Sequence, residues 1–175
     1  ALAGVVTCQP QASEVGPELA VRYRPTEPEV VTKMLEMGKV GNGDVVFELG
    51  CGDGRIAIAS TKRGATAVCV ELDPARMRTA KENAKKAGVH NQITFRQESF
   101  FDTDVSSATV VTMFLYQHVN LKLRGKLTRQ LRPGSRVVSH WHNMGDCPPK
   151  EQVEMTVGGD NRTVYLWVAD GKVRE

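Results

Sequence analysis

Short apolar runs recur along the middle of the chain, each of the length of one buried strand. The first, Val-Val-Phe-Glu-Leu, is followed directly by a glycine-rich segment. Runs rich in β-branched residues without strict alternation are typical of strands buried on both faces of a parallel sheet. Five such strands are predicted, at residues 45–49, 66–72, 93–98, 108–114 and 136–141.

Stretches with one apolar face at helical spacing lie before and between these strands. Thr26 is a predicted N-cap for the first helix, which ends near Gly38. Asp73 and Pro74 form a strong helix start, with an acidic N-cap and proline in the first turn, and Gly88 ends that helix. Further helices are predicted from residue 55 to about 63 and along the Leu-rich face of residues 119–131.

The C-terminal part breaks this alternation. Residues 152–157 and 162–168 are predicted to form two strands of a β-hairpin joined through Gly158 and Gly159. The pattern predicts an α/β protein with a mostly parallel, Rossmann-like sheet, helices on both faces and a C-terminal antiparallel hairpin. Residues 1–20 are predicted to be a flexible N-terminal arm and residues 21–175 a single domain.

The composition sets only broad limits on the class of protein. The chain has 175 residues, of which 41% are hydrophobic and 25% charged, as in ordinary globular proteins, and its net charge of +3 is too small to indicate a nucleic-acid partner. No apolar run approaches the roughly 20 residues of a membrane-spanning helix. We therefore expect a cytoplasmic protein, with peripheral membrane contact left open. The apolar residues 1–8 also fit a trimmed targeting or anchoring segment.

The four cysteines show neither metal-ligand spacing nor a dense framework. They lie at positions 8, 51, 69 and 147, without any C-x-x-C pair. The sequence therefore predicts no metal site and no disulfide scaffold, with the thiols reduced.

A glycine loop carries the chemistry. Gly50, Gly52 and Gly54 lie between a predicted strand and a predicted helix, where glycines let the backbone approach a ligand closely. About 20 residues farther along, Glu71 ends the second strand, where a carboxylate can accept both hydroxyls of a ribose. Together these features predict a nucleoside site at the edge of the sheet.

The residues around the loop favour one nucleoside over another. A dinucleotide fingerprint beginning at Gly50 would need a small residue at position 55, where this chain has Arg55. Glu48 and Asp53 would repel a pyrophosphate but would suit a ligand with a positive end, such as the ammonium and sulfonium of S-adenosylmethionine. A nicotinamide-dependent oxidoreductase remains as the alternative.

The motif Glu-Leu-Gly-Cys-Gly-Asp-Gly at residues 48–54 resembles the first motif of class I S-adenosylmethionine-dependent methyltransferases. Segments at residues 23–26, 120–124 and 133–139 are more narrowly similar to small bacterial members of that class. These are related to the lysine methyltransferases of the ATP synthase c subunit and the adenine nucleotide translocase. The resemblance implies a seven-stranded sheet, S-adenosylmethionine as cofactor, and methyl transfer to a protein lysine nitrogen.

The resemblance also implies roles for individual residues. Glu48 and the loop backbone would surround the methionine portion of the cofactor, Glu71 would hold the ribose, and the Glu98-Ser99 pair would contact the adenine, with serine where the family commonly has aspartate. Tyr23 and Thr26 would close over the cofactor, or else serve as a packing tyrosine and a helix cap. The implied cofactor-binding residues are Tyr23, Thr26, Glu48, Gly50, Cys51, Gly52, Asp53, Gly54, Glu71, Leu72, Asp73, Glu98, Ser99 and Phe100.

Aromatic residues follow the fourth and fifth strands, where the resemblance places the methyl group. Tyr116 and Trp141 are the predicted catalytic residues, as walls around an acceptor amine that must lose its proton. One of His118, His140 and His142 could instead act as a general base, or all three could be structural. A module of this fold that binds the cofactor without turnover is a further alternative.

Overall fold

The computed structural model describes residues 24–174, so the predicted arm at residues 1–20 and Tyr23 lie outside the described part. Seven strands and four α-helices follow one another along these residues, with a short 3₁₀ turn before β3. In chain order they are α1 (Pro28–Met37), β1 (Val45–Leu49), α2 (Arg55–Thr61), β2 (Thr66–Val70), α3 (Pro74–Lys86), β3 (Ile93–Arg96), β4 (Val110–Met113), α4 (Gln117–Gln130), β5 (Arg136–His140), β6 (Glu151–Val157) and β7 (Asp160–Val168).

All seven strands form one sheet in the order β3-β2-β1-β4-β5-β7-β6. Strands β1 to β5 are parallel, and β7 lies antiparallel between β5 and β6. Leu49 at the end of β1 is level with Val70 of β2 and with Met113 of β4. The carboxyl ends of the central strands therefore meet at one edge of the sheet. The predicted α/β sheet with a C-terminal antiparallel hairpin is confirmed.

Helices cover both faces because neighbouring strand residues point to opposite sides. Phe47 packs in a cluster with Leu123 and Leu127 of α4. The preceding residue, Val46, packs with Met34 and Leu35 of α1 on the other face. A third cluster joins α2 and α3 to β2. The two faces together fix the sheet edge from which the loops of the site project.

The two helix N-caps predicted from the sequence, Asp73 and Thr26, have different outcomes in the structure. Asp73 caps α3 as predicted, accepting hydrogen bonds from the N–H groups of Ala75 at 2.7 Å and Arg76 at 3.3 Å. The prediction for Thr26 is wrong, because Glu27 precedes α1 and no side chain caps it. The Thr26 hydroxyl instead lies 3.3 Å from Nδ1 of buried His140.

The prediction that the cysteine thiols are reduced is also wrong. Cys51 of the glycine loop and Cys69 of β2 form a disulfide, with their Cα atoms 5.3 Å apart. The two residues are 18 positions apart in sequence and do not form a recognisable motif. Parallel pairing of β1 with β2 brings them together, since Cys69 lies opposite Glu48, just before the loop. Within residues 24–174, no helix is both long and apolar enough to cross a membrane.

Candidate active site

A cavity of about 560 Å³ opens at the carboxyl ends of the parallel strands. Its walls come from the loops after β1 to β5, from the first turns of α2 and α3 and from the segment before α1. Open α/β sheets bind ligands at this edge, and the volume lies within the range of small-molecule sites. The predicted residues that line it are Thr26, Glu48, Gly50, Cys51, Asp53, Glu71, Phe100, Tyr116 and Trp141.

Positive φ angles shape the glycine loop. Gly50, Gly52 and Gly54 have φ angles of 75°, 56° and 77°, in the left-handed region that side chains disfavour. A Cβ atom on Gly50 would lie 3.1 Å from the Leu115 side chain, and one on Gly54 would lie 3.1 Å from Ala80. Glycine is therefore favoured by conformation at all three places, and at Gly50 and Gly54 also by the limited space.

Glu71 joins the loop to the start of α3. Its Oε2 accepts the Gly52 N–H and its Oε1 accepts the Asp73 N–H, both at 3.0 Å. A carboxylate has about four acceptor positions. The two backbone bonds therefore fix its plane and leave each oxygen able to accept one more donor, as a vicinal diol offers. This geometry fits the ribose of the implied cofactor.

Glu48 is buried at the base of the cavity. Its Oε2 accepts the Ala57 N–H of α2 at 2.8 Å. Burial raises the pKa of this carboxyl group well above its usual range, and the nearby Asp53 and Glu71 carboxylates raise the pKa further. A positive group in the cavity would favour the charged carboxylate, so the site is electrostatically suited to a cationic ligand.

Asp53 differs from the other two carboxylates of the cavity. It forms a salt bridge to Arg55 at 2.6 Å, and Arg55 also donates to the Thr26 carbonyl at 2.8 Å. Its negative charge is therefore largely balanced by Arg55. The acidic character that the sequence suggested for Glu48 and Asp53 together therefore belongs mainly to Glu71, and to Glu48 once a cationic ligand favours its charged form.

The opposite end of the cavity is aromatic. The rings of Phe114 and Trp141 are nearly parallel, with centroids 6.4 Å apart, and the ring centroid of Tyr116 lies 5.8 Å from that of His142. Tyr116 and Trp141 are each 38% exposed, so they form the rim. The carboxylates of Glu48 and Glu71 thus belong to β1 and to the loop after β2, whereas Phe114, Tyr116 and Trp141 follow β4 and β5 on the other side of the sheet order. We call these two sides the carboxylate end and the aromatic end.

The histidines separate into three environments. His140 is fully buried and does not line the cavity, and burial lowers its pKa to about 4. His142 lines the cavity, with a pKa lowered first by burial and then by His118. His118 is exposed and stacks on Tyr116 at 5.8 Å. Of the three, only His142 belongs to the cavity wall.

Several predicted residues lie beside the cavity without lining it. Gly52, Gly54 and Asp73 shape its loops, whereas Leu72 projects from the following turn and is exposed. Glu98 accepts a hydrogen bond from Thr103 at 3.0 Å, and Ser99 accepts one from the Phe101 N–H at 3.2 Å. The Glu98-Ser99 pair is thus engaged in its own turn.

Sequence reasoning missed the cavity residues Arg24, Pro25, Ile56 and Arg76. Arg24 and Pro25 lie within the family-like segment at residues 23–26, but only Tyr23 and Thr26 of that segment were given a role. No motif marks Ile56 and Arg76, because the faces of α2 and α3 reach the cavity only through the tertiary fold. Phe114 and Leu115 were recognisable from their position at the end of a strand.

A family model decides the assignment. The model described as the ANTKMT methyltransferase domain matches residues 48–151, more than half of the chain. The chain belongs to this family.

Relatives of this ANTKMT-family chain agree on the reaction class. It is 46% identical over 150 residues to a protein-lysine N-methyltransferase of Saccharolobus islandicus, covering 85% of this chain and 93% of that relative. It is 29% identical over 130 residues to the human lysine N-methyltransferase of the ATP synthase c subunit, covering 71% of this chain but only 55% of the human protein.

A solved structure extends the comparison to the cofactor. An RNA methyltransferase from Salinibacter ruber, in complex with S-adenosyl-L-homocysteine, has a TM-score of 0.80 and 43% identity, covering 87% of this chain and 97% of that one. The ANTKMT-family chain is an S-adenosylmethionine-dependent methyltransferase, which excludes the nicotinamide alternative.

Proposed function

We propose that this methyltransferase transfers its methyl group to the ε-amino group of a lysine on a protein. The observation that carries the proposal is the polarity of the cavity, with Glu48 and Glu71 at one end and the rings of Phe114, Tyr116 and Trp141 at the other. A cationic donor fits the first end. The second end fits a lysine side chain, whose stem is apolar and whose amine must be neutral to react.

The carboxylate end would hold the donor. Glu71, with its plane fixed by two backbone N–H groups, would accept the ribose hydroxyls. Glu48 would face the positive methionine portion, and the tightly turned backbone from Gly50 to Gly54 would enclose it. Bound S-adenosylmethionine supplies an electrophilic methyl group, so the protein does not have to supply a nucleophile or an oxyanion hole.

The aromatic end would prepare the acceptor. A lysine amine in water has a pKa of about 10.4 and is a nucleophile only when deprotonated. Desolvation between aromatic rings lowers the pKa of an amine, and the rings also stabilise the alkylammonium product by cation–π attraction. Tyr116 and Trp141 would therefore position the side chain, with His142 as a mainly neutral neighbour.

The shape of the rim supports a protein acceptor. Among residues 24–174 the exposed large apolar side chains are Leu72, Tyr116, Trp141 and Val173. Tyr116 and Trp141 line the cavity, and Leu72 follows the cavity residue Glu71 directly in sequence. A short apolar rim of this kind suits a polypeptide surface better than a phosphate backbone. The names of the archaeal and human relatives favour the same acceptor class.

RNA is the second candidate acceptor, because the Salinibacter ruber relative is described as an RNA methyltransferase. The charges around the cavity argue against it. Arg55 pairs with Asp53 and Arg76 with Asp73, so two of the three arginines that line the cavity have carboxylate partners, and the third, Arg24, lies 3.7 Å from Asp160. In nucleic-acid sites, by contrast, the Lys and Arg side chains contact phosphate groups.

The test uses one extract divided into a protein fraction and an RNA fraction. Each is incubated with the enzyme and methyl-labelled S-adenosylmethionine, and the products are digested and analysed by mass spectrometry, with Glu71→Ala as the control enzyme. Label on lysine residues, absent with Glu71→Ala, is the expected result. Label confined to RNA would overturn the proposal, and cofactor binding without labelling of either fraction would identify a binding module.

The cytoplasmic location expected from the sequence stays a prediction.

A further inference from the structure

The backbone of Trp141 is unusual for a large side chain. Its φ angle is 70°, in the left-handed region, directly after β5 ends at His140. Its N–H donates to the Thr163 carbonyl of β7 at 2.6 Å. Bulky residues persist in this conformation only where surrounding structure holds them, and such positions cluster at functional sites. The contacts of the indole ring therefore show what holds Trp141 in place.

Arg162 of β7 lies against that ring. Its guanidinium carbon is 4.7 Å from the centre of the indole, and its side chain is only 3% exposed. A buried cation is stable only when it is paired and hydrogen-bonded. Nε and one terminal nitrogen of Arg162 both donate to Glu27, at 3.0 and 2.5 Å, and the other terminal nitrogen donates to the Asn161 carbonyl at 3.0 Å.

These in-plane bonds leave the flat face of the guanidinium for stacking on the indole. Glu27 ends the segment that carries Thr26 and Pro25 along the cavity, so Arg162 links that segment to the aromatic wall. Asp160 adds a further ion pair with Arg162 at 3.3 Å.

Arg24 provides an internal contrast. Its guanidinium carbon lies 5.3 Å from the same indole, but its side chain is 52% exposed, with one distant ion pair to Asp160 at 3.7 Å. An exposed, mobile cation contributes little to the position of a ring. The two arginines therefore contact one tryptophan with very different degrees of constraint.

We propose that Arg162 is a positioning residue for the acceptor, holding the Trp141 indole in place as part of the aromatic wall. This inference rests on the proposed function, in which that wall receives the lysine. Arg162 does not line the cavity and acts through Trp141. Loss of its flat guanidinium releases the ring and weakens acceptor use while leaving cofactor binding intact.

The first measurement does not depend on the acceptor. The chain has two tryptophans, so Trp167→Phe in every sample leaves Trp141 as the only tryptophan fluorophore. Arg162→Lys keeps the charge but removes the planar stack, and we expect acrylamide quenching of Trp141 to rise about threefold. The matched Arg24→Lys variant should change it little. Equal quenching in Arg162→Lys and the parent protein would overturn the proposal.

The second measurement is a double-mutant cycle on labelled lysine acceptor. Arg162→Lys should raise the acceptor KM about tenfold, with the dissociation constant of S-adenosylhomocysteine unchanged, because positioning rather than donor binding is lost. In a Trp141→Ala background the same substitution should have almost no further effect on KM. Fully additive effects would show a general structural role and overturn the inference.

A third variant keeps the proposal testable if Arg162→Lys does not fold. If Arg162→Lys unfolds, as thermal denaturation would show, Glu27→Gln weakens the same anchor without placing a lysine in the buried site, and it should raise Trp141 quenching in the same direction. Unchanged quenching would contradict the proposal. Increased quenching in a protein that methylates no lysine would contradict the proposed acceptor while leaving the link between Arg162 and Trp141 supported.

Discussion

The two ends of the cavity are built in different ways. At the carboxylate end, Glu71 is held by backbone N–H groups of Gly52 and Asp73, and Gly50 is tightly turned. At the aromatic end, the indole ring of Trp141 lies against the side chain of Arg162, which Glu27 anchors from far away in sequence. A backbone-built site suits a ligand that is always the same. A wall of side chains can change its acceptor by substitution without disturbing the donor site.

Removal of the Glu71 carboxylate should have the largest effect, and that effect should be on donor binding. Glu71→Ala should raise the dissociation constant of S-adenosylhomocysteine about 100-fold, because hydrogen bonds to a carboxylate are strong and the loop loses its tie to Gly52. Isothermal titration calorimetry measures this. Glu82→Ala is the matched control, since that carboxylate is exposed on α3 and does not line the cavity, and it should change affinity less than about twofold. Equal losses in both variants would contradict the assignment of the donor end.

The next effect belongs to the aromatic end. Tyr116→Ala should lower kcat/KM for a lysine acceptor about 30-fold by removing an aromatic wall, with the affinity for S-adenosylhomocysteine changed less than about twofold. Tyr116→Phe keeps the ring and should remain near the parent rate. Steady-state kinetics with a labelled donor separates these cases. A Tyr116→Phe variant as impaired as Tyr116→Ala would show that the hydroxyl group, rather than the ring, matters.

A pair of glycine variants tests the backbone-built end without removing a charge. Gly50 and Gly43 both have left-handed φ angles, 75° and 83°, but only Gly50 has a cavity neighbour, since nothing lies within 4 Å of a Cβ on Gly43. Each change to alanine should cost about 1 kcal/mol of unfolding free energy. Only Gly50→Ala should also weaken S-adenosylhomocysteine binding, about tenfold, through pressure on Leu115. Equal affinities for the two variants would show that the loop tolerates displacement.

The smallest expected effect is a pH dependence of the free energy of unfolding, caused by the buried His140 next to Trp141. Burial lowers the pKa of His140 to about 4, so the unfolded chain binds a proton more readily than the folded one as pH falls below the ordinary value of 6.5. Stability contributed by neutral His140 is thus present at pH 7.5 and is lost toward pH 4, with about 1 kcal/mol lost by pH 6. Urea denaturation at these two pH values, with His140→Asn against the exposed His118→Gln, measures the difference. An unchanged pH slope in His140→Asn would contradict it.

The glycine loop and Glu71 were predictable because their signals are local. Each depends on a strand end, a turn and a helix start within a short stretch, and physical constraints on φ angles leave few residue choices there. The sheet followed from apolar runs for the same reason. The pairing of Cys51 with Cys69 was missed because it depends on the register of two parallel strands, which spacing alone does not reveal.

The support for the aromatic end could not be predicted from local pattern. Glu27 and Arg162 are 135 residues apart, and an acid before a helix and an arginine in a hairpin each have an ordinary exposed interpretation. Only the antiparallel insertion of β7 beside β5 brings Arg162 to Trp141. Tertiary contacts, rather than sequence neighbours, decide these cases.

A crystal structure with S-adenosylhomocysteine and a lysine-containing peptide would show whether one cavity receives the donor at its carboxylate end and the acceptor at its aromatic end. We expect the ribose hydroxyls on Glu71, the thioether sulfur toward Tyr116 and Trp141, and the lysine nitrogen between those rings. A sulfur directed away from the rings, or a lysine entering from another side, would contradict it.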